Sequence, residues 1–170
     1  MESPLLRFLV SFLVLLTVLF TLEILAPVQR TVILPWTALL ADLSGWLMQW
    51  FDAEVMVSGK VIRSTVTDFG VSIEPGCNGV EAMIVLLAAV VAFPAPWVYK
   101  LKGLLAGFVA IQALNLVRII SLYYLGLWNP VLFEWAHLYI WQALIMLDAL
   151  IVFLIWVRFI PTAGETANVG

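Results

Sequence analysis

Charge is what this sequence has least of. Charged residues make up 11% of its 170 positions, under half the share of an ordinary soluble domain. A single cysteine excludes an intramolecular disulfide, and a single histidine excludes a site built from several His ligands within one chain. The net charge is −3 and no basic tail or stripe is present, which points away from nucleic acid as a partner. GxSxG, Walker A and HExxH patterns are absent, and the acidic residues do not cluster inside the apolar runs as a metal site requires. Neither a metal nor another cofactor is expected.

What is present is hydrocarbon. The chain is 64% hydrophobic with a mean hydropathy of +1.10. A soluble domain of this size leaves too much of its surface exposed to hide so much apolar area, so the natural solvent is a bilayer. The eight tryptophans fit, because indole rings favour the membrane interface.

Four runs are long and apolar enough to span as helices: residues 5–26, 80–99, 101–125 and 138–159. The first exceeds a leader's apolar core, and no clear small-residue cleavage site follows it, so it reads as a retained anchor. An inside N-terminus places Arg7, Lys100, Lys102 and Arg158 on the cytoplasmic side, with Arg30 counting against it. The expected class is an all-α membrane protein: one domain over 1–170, a four-helix bundle, an outer loop at 27–76 and a small polar cytoplasmic tail at 161–170.

The outer loop has content. On a helical wheel over residues 36–52, Trp36, Leu39, Leu40, Leu43, Trp46, Leu47, Trp50 and Phe51 share one arc, with Thr37, Asp42, Ser44, Gln49 and Asp52 opposite. This describes an amphipathic helix, lying on the outer membrane surface or packed against the spans. Val55, Val57 and Val61 around Ser58-Gly59-Lys60, and alternation over Phe69–Ile73, indicate a two- or three-strand element.

Three residues carry the candidate chemistry. Cys77 sits in Pro75-Gly76-Cys77-Asn78-Gly79, where Asn78 and Glu81 have the spacing of a capping box. A cysteine just outside a helix start meets free amides that favour its thiolate; its plainer role is that of a small buried hydrophobe. Arg118 lies deep in an apolar run, at a cost of at least ~2.5 kcal/mol, with Asn115 three positions earlier on the same helical face. It is a functional candidate by default, against snorkelling or a structural pair with Glu81. His137 opens the last span and titrates near neutral pH; alone it reads as an interface histidine in an aromatic belt. One topology puts all three toward the same face. A thiolate, a histidine that moves protons and a donor for an oxyanion together make a cysteine peptidase site.

The Pro-Gly-Cys77-Asn78-Gly79-Val80 turn, Asn115-Leu116-Val117-Arg118 and His137 resemble the exosortase/archaeosortase family over residues 77–141, and the short length resembles its exosortase H type. Asn78 stands where many members have Ser. The resemblance implies a membrane transpeptidase of the bacterial inner (plasma) membrane, with its active site facing the periplasm or outside. Cys77 is then the nucleophile, His137 the proton carrier and Arg118 the oxyanion donor, supported by Asn115, Asn78 and Glu81. Its implied partners are exported proteins bearing a C-terminal sorting signal: a Pro-containing motif, a transmembrane helix and a basic tail. A lipid or other acceptor receives the product, and membrane lipids surround the enzyme. The competing classes are a non-enzymatic membrane scaffold or small transporter subunit, a thiol redox protein short of a second cysteine, and a plain protease that releases its product to water.

Overall fold

A computed structural model describes residues 3–160. Five helices and one small sheet follow in order: α1 (Pro4–Glu23), α2 (Ala26–Met48), β1 (Val55–Ser58), β2 (Val61–Ser64), β3 (Gly70–Ser72), α3 (Val80–Ala92), α4 (Trp97–Trp128) and α5 (Pro130–Arg158). The all-α membrane class holds: α1, α2, α4 and α5 are each long and apolar enough to cross a bilayer. The strands form one antiparallel sheet in the order β1-β2-β3, with Ser58 paired to Val61 and Ile62 to Val71. The expected polar tail at 161–170 lies outside the described residues.

Several expected boundaries move. The run 80–99 is not one helix: α3 stops at Ala92 after 13 residues. Pro94 and Pro96 follow, and neither can continue the hydrogen-bond ladder. Lys100 Nζ, buried beneath the turn, donates to Val91 O at 2.7 Å and satisfies one of the carbonyls left open at that helix end. The next helix is longer than the expected 101–125. Its 32 residues rise about 48 Å, longer than the about 30 Å of hydrocarbon. The last helix starts at Pro130, not 138, capped by Asn129 Oδ1 accepting from the amides of Val131 and Leu132.

In the segment 27–76, the helix expected over 36–52 begins earlier, at Ala26, and ends at Met48. The helix passes Pro35 because a π-turn at Gln29–Ile33 lies directly before it, where a proline ring otherwise meets the carbonyl four residues back. Its packing face is also not the apolar arc. Thr37, Leu40, Ala41, Ser44, Gly45 and Met48 are buried, while Leu39, Leu43 and Trp46 are exposed. Small residues let the backbones approach, and the large apolar ones are left for lipid. Thr37 and Ser44 keep their hydroxyls satisfied by donating to Ile33 O and Leu40 O.

Two cores result. One joins α2, the sheet and the far part of α4 through Leu40, Met48, Val55, Ile62, Ile73, Ile119 and Tyr123. The other joins α3, α4 and α5 through Ala82, Leu86, Val90, Ile111, Ala149 and Trp156, with α1 packed along α3. The contacts Phe8–Phe93 and Phe93–Trp156, and Trp156 Nε1 donating to Tyr99 O at 2.8 Å, bring the start of α1, the α3–α4 turn and the end of α5 together. Arg7, Lys100, Lys102 and Arg158 therefore share one end of the bundle. The sheet and Cys77 lie at the other.

Candidate active site

Cys77 sits in the link from β3 to α3. Its amide donates to Glu74 O at 2.9 Å, closing a turn with Pro75 second and Gly76 third. Gly76 has φ 84°, the pattern of a type II turn, which needs proline's fixed φ and then a left-handed residue. Gly79 is left-handed as well, at φ 72°, and directly precedes α3. Cys77 is thus presented between two backbone reversals that only glycine adopts cheaply.

The expected capping box is altered. Gly79, not Asn78, holds the N-cap position. Asn78 is fully buried; its Oδ1 accepts from the Val80 amide at 3.1 Å and its Nδ2 donates to Thr37 Oγ1 at 3.3 Å. Trp36 Nε1 donates to Asn78 O at 3.2 Å, so α2 braces the turn from the side. Glu81 reaches back past Asn78 and accepts from the Gly76 amide. The left-handed residue between Asn78 and the helix displaces the register by one, which sends the carboxylate to the amide two residues earlier.

Arg118 meets this turn from α4. Its Nη2 donates to Cys77 Sγ at 3.3 Å and its Nη1 donates to Gly76 O at 3.1 Å. The side chain is 1% exposed, and it lies about 31 Å along α4 from Trp97. It neither snorkels nor pairs with Glu81: the one salt bridge among the described residues is Lys60–Glu74. Its Nε is buried without a partner among them.

His137 completes the enclosure without touching the thiol. A cavity of about 250 Å³ is lined by Cys77, Arg118 and His137, with β3, Glu74 and Phe133 as further wall. The imidazole stacks flat on Phe133, 5.6 Å between centroids, and its Nδ1 is buried with no hydrogen-bond partner among the described residues. A π-turn over Ala136–Ile140 carries it; such turns recur at functional sites. Catalytic hydrogen bonds are commonly loose before substrate binds.

The electrostatics differ from a simple helix-start argument. Burial pushes the Cys77 thiol above its ordinary pKa, and Glu81 and Glu74 push the same way; Arg118 and the Glu74 backbone contact pull it down. Burial and the two carboxylates therefore favour the neutral thiol, and the Arg118 guanidinium favours the thiolate.

Asn115 is buried on the face of Arg118, as its spacing requires, but makes no hydrogen bond with it. Its amide has no hydrogen-bond partner among the described residues and lines a separate apolar cavity with Gly79, Trp141 and Asp148. Residues that the sequence reading passed over include Trp36 and Thr37, which hold Asn78, and Glu23, whose carboxyl group meets that of Glu81. A lone acid in an otherwise apolar helix is itself a legible sign.

Fold and site together define a multi-pass membrane protein with a cysteine–arginine contact at one end of its bundle. The family model for transmembrane exosortases matches residues 4–156. The chain belongs to that family. Neither a curated protein nor a solved structure matches it.

Proposed function

We propose that this chain is a membrane-embedded cysteine transpeptidase that cleaves the C-terminal sorting signal of exported proteins at the outer face of a bacterial inner membrane. The observation that carries the reading is the Arg118 guanidinium on Cys77 Sγ at the wall of the cavity that His137 also lines. Family membership supports the same chemistry.

In this reading α1, α3, α4 and α5 cross, with the N-terminus inside. The short α3 crosses because the sheet and α2 extend the wall at its outer end. Despite its length, α2 starts and ends at that one end of the bundle: Glu23, just before it, meets Glu81, and Trp36 in its middle holds Asn78. The exposed Leu39, Leu43 and Trp46 then rest in the interface.

The reaction follows from the groups present. The Cys77 thiol gives its proton to His137, and the thiolate attacks the carbonyl carbon of the scissile peptide. A C–S bond forms and the carbonyl π electrons move to oxygen. Arg118, already turned to the sulfur, faces the developing oxyanion, and its unpartnered Nε is a further donor. His137 returns the proton to the leaving amine as the C–N bond breaks, leaving a thioester on Cys77. An acceptor nucleophile then takes the acyl group and restores the thiol; water in its place gives hydrolysis. Asn78 and Glu81 hold the turn, while Asn115 packs the helix that carries Arg118.

Co-expression with exported proteins bearing C-terminal Pro-motif, helix and basic tail tests this. Wild type is expected to process the substrate and Cys77→Ala, Arg118→Ala and His137→Ala to leave it intact. Full processing by all three variants contradicts the reading. Mass spectrometry of the new C-terminus separates transfer from hydrolysis.

A further inference from the structure

Glu23 is the only buried residue of α1, at 6% exposure. The rest of that helix lies along α3 or toward lipid with no other buried residue, so an anchor with no other role has no use for a carboxyl group there. A charge sealed at the end of an apolar helix is costly unless it is paired or neutralised. No cation pairs with it among the described residues. What it meets is another acid, Glu81 of α3. The end of α1 is fixed at this point by Gln29 Nε2, which donates to Glu23 O at 2.7 Å.

Two carboxyl groups in contact cannot both be ionised at low cost, and the stable arrangement is one proton held between them. Glu81 has a second task, since it accepts from the Gly76 amide. Gly76 in turn supplies the carbonyl that receives Arg118 Nη1. A chain of contacts therefore runs from Glu23 through Glu81 and Gly76 to Arg118 and Cys77 Sγ.

We propose that Glu23 is a positioning residue: it shares a proton with Glu81, and so holds the Glu81 carboxylate on the Gly76 amide and the Cys77 turn against Arg118. The charged and titratable groups that face Glu81 are Arg118 from α4 and Cys77 from the turn. The neutralising proton also keeps a second negative charge away from the thiol. The role in turnover rests on Cys77 being the nucleophile; the proton-sharing geometry does not.

The test uses the full-length protein in lipid nanodiscs. Infrared spectra at pH 7 are compared for wild type and Glu23→Gln, which keeps a hydrogen-bond donor toward Glu81. A protonated-carboxyl C=O band present in wild type and lost in Glu23→Gln is expected; identical spectra overturn the proposal. The second readout is the rate of Cys77 alkylation by N-ethylmaleimide against pH. Glu23→Gln is expected to match wild type, while Glu23→Leu frees Glu81, moves the midpoint upward by about half a unit and slows alkylation at pH 7 roughly threefold. A Glu23→Leu profile equal to wild type, or a Glu23→Gln profile as slow as Glu23→Leu, overturns it. Tryptophan fluorescence reports folding, and the infrared comparison decides the matter even where Glu23→Leu does not fold. Neither readout requires processing. If Cys77→Ala retained processing, the peptidase reading alone would fall.

Discussion

The two cores of this molecule are built from different residues. The core around the sheet uses large side chains, Leu40, Met48, Ile62, Ile73 and Tyr123, closed over three strands. The core between α3, α4 and α5 mixes Ala82, Ala149 and Gly107 with a few large residues such as Trp156. Next to water, burying apolar surface is the driving force. Between lipid-bathed helices that force vanishes, and close approach and internal hydrogen bonds replace it, as Lys100 on Val91 O and Trp156 on Tyr99 O illustrate. Cys77 packs on the first core, and Arg118 arrives on the helix that belongs to both. The site therefore sits where a precise, hydrophobically driven scaffold meets the bilayer.

The largest expected effect tests the junction itself. Cys77→Ala should reduce processing by at least about 10³-fold with an unchanged unfolding midpoint, because the side chain is only half-buried; unfolding and substrate conversion measured on one preparation check both. A comparable stability loss would move Cys77 from chemistry into the core. Next come paired truncations. Ile62→Ala, fully buried in the sheet core, should cost about 3 kcal/mol, whereas Leu86→Ala, equally buried between the helices, should cost about 1–2 kcal/mol, since only packing is lost there. Denaturation in mixed micelles measures both, and equal losses would erase the distinction between the cores.

Gly79→Ala puts a side chain on a left-handed residue facing the Gln112 amide. It should cost about 1–3 kcal/mol and slow processing through the turn. Arg118→Ala removes the group that lowers the Cys77 pKa. The thiol of the variant titrates higher, so the midpoint of Cys77 alkylation should rise; a fall would reverse the assigned electrostatics. The smallest effect belongs to the rim. Lys60 donates to both Glu74 oxygens at 2.6 Å and holds that carboxyl below its usual range. The pair is exposed, so Lys60→Ala should change stability by about 0.5 kcal/mol or less.

Much of this was legible from residues alone, for reasons that differ by site. Pro75-Gly76 dictates a turn, so Cys77 was fixed at a helix start. Arg118 stood out because hydrocarbon tolerates a charge only with a reason. The valine runs around Ser58-Gly59-Lys60 and the alternation over Phe69–Ile73 indicated two or three strands, and three form. Helix ends were less legible, because hydropathy over residues 80–99 is blind to Pro94 and Pro96. The wheel over residues 36–52 left open whether the apolar arc of α2 meets lipid or the spans; the small residues Ala41, Ser44 and Gly45, which decide helix contacts in lipid, turn inward and leave Leu39, Leu43 and Trp46 outside. Glu23 carried a plain signal, yet its partner is 58 residues away on another helix, and periodicity along one helix says nothing about such pairs.

The proposed mechanism requires that the sulfur of Cys77 becomes acylated. Intact-protein and peptide mass spectrometry on the chain co-expressed with a substrate should show a substrate-derived acyl adduct on the Cys77 peptide, removed by hydroxylamine and absent in Cys77→Ala. Processing with no such adduct and undiminished turnover in Cys77→Ala would contradict it.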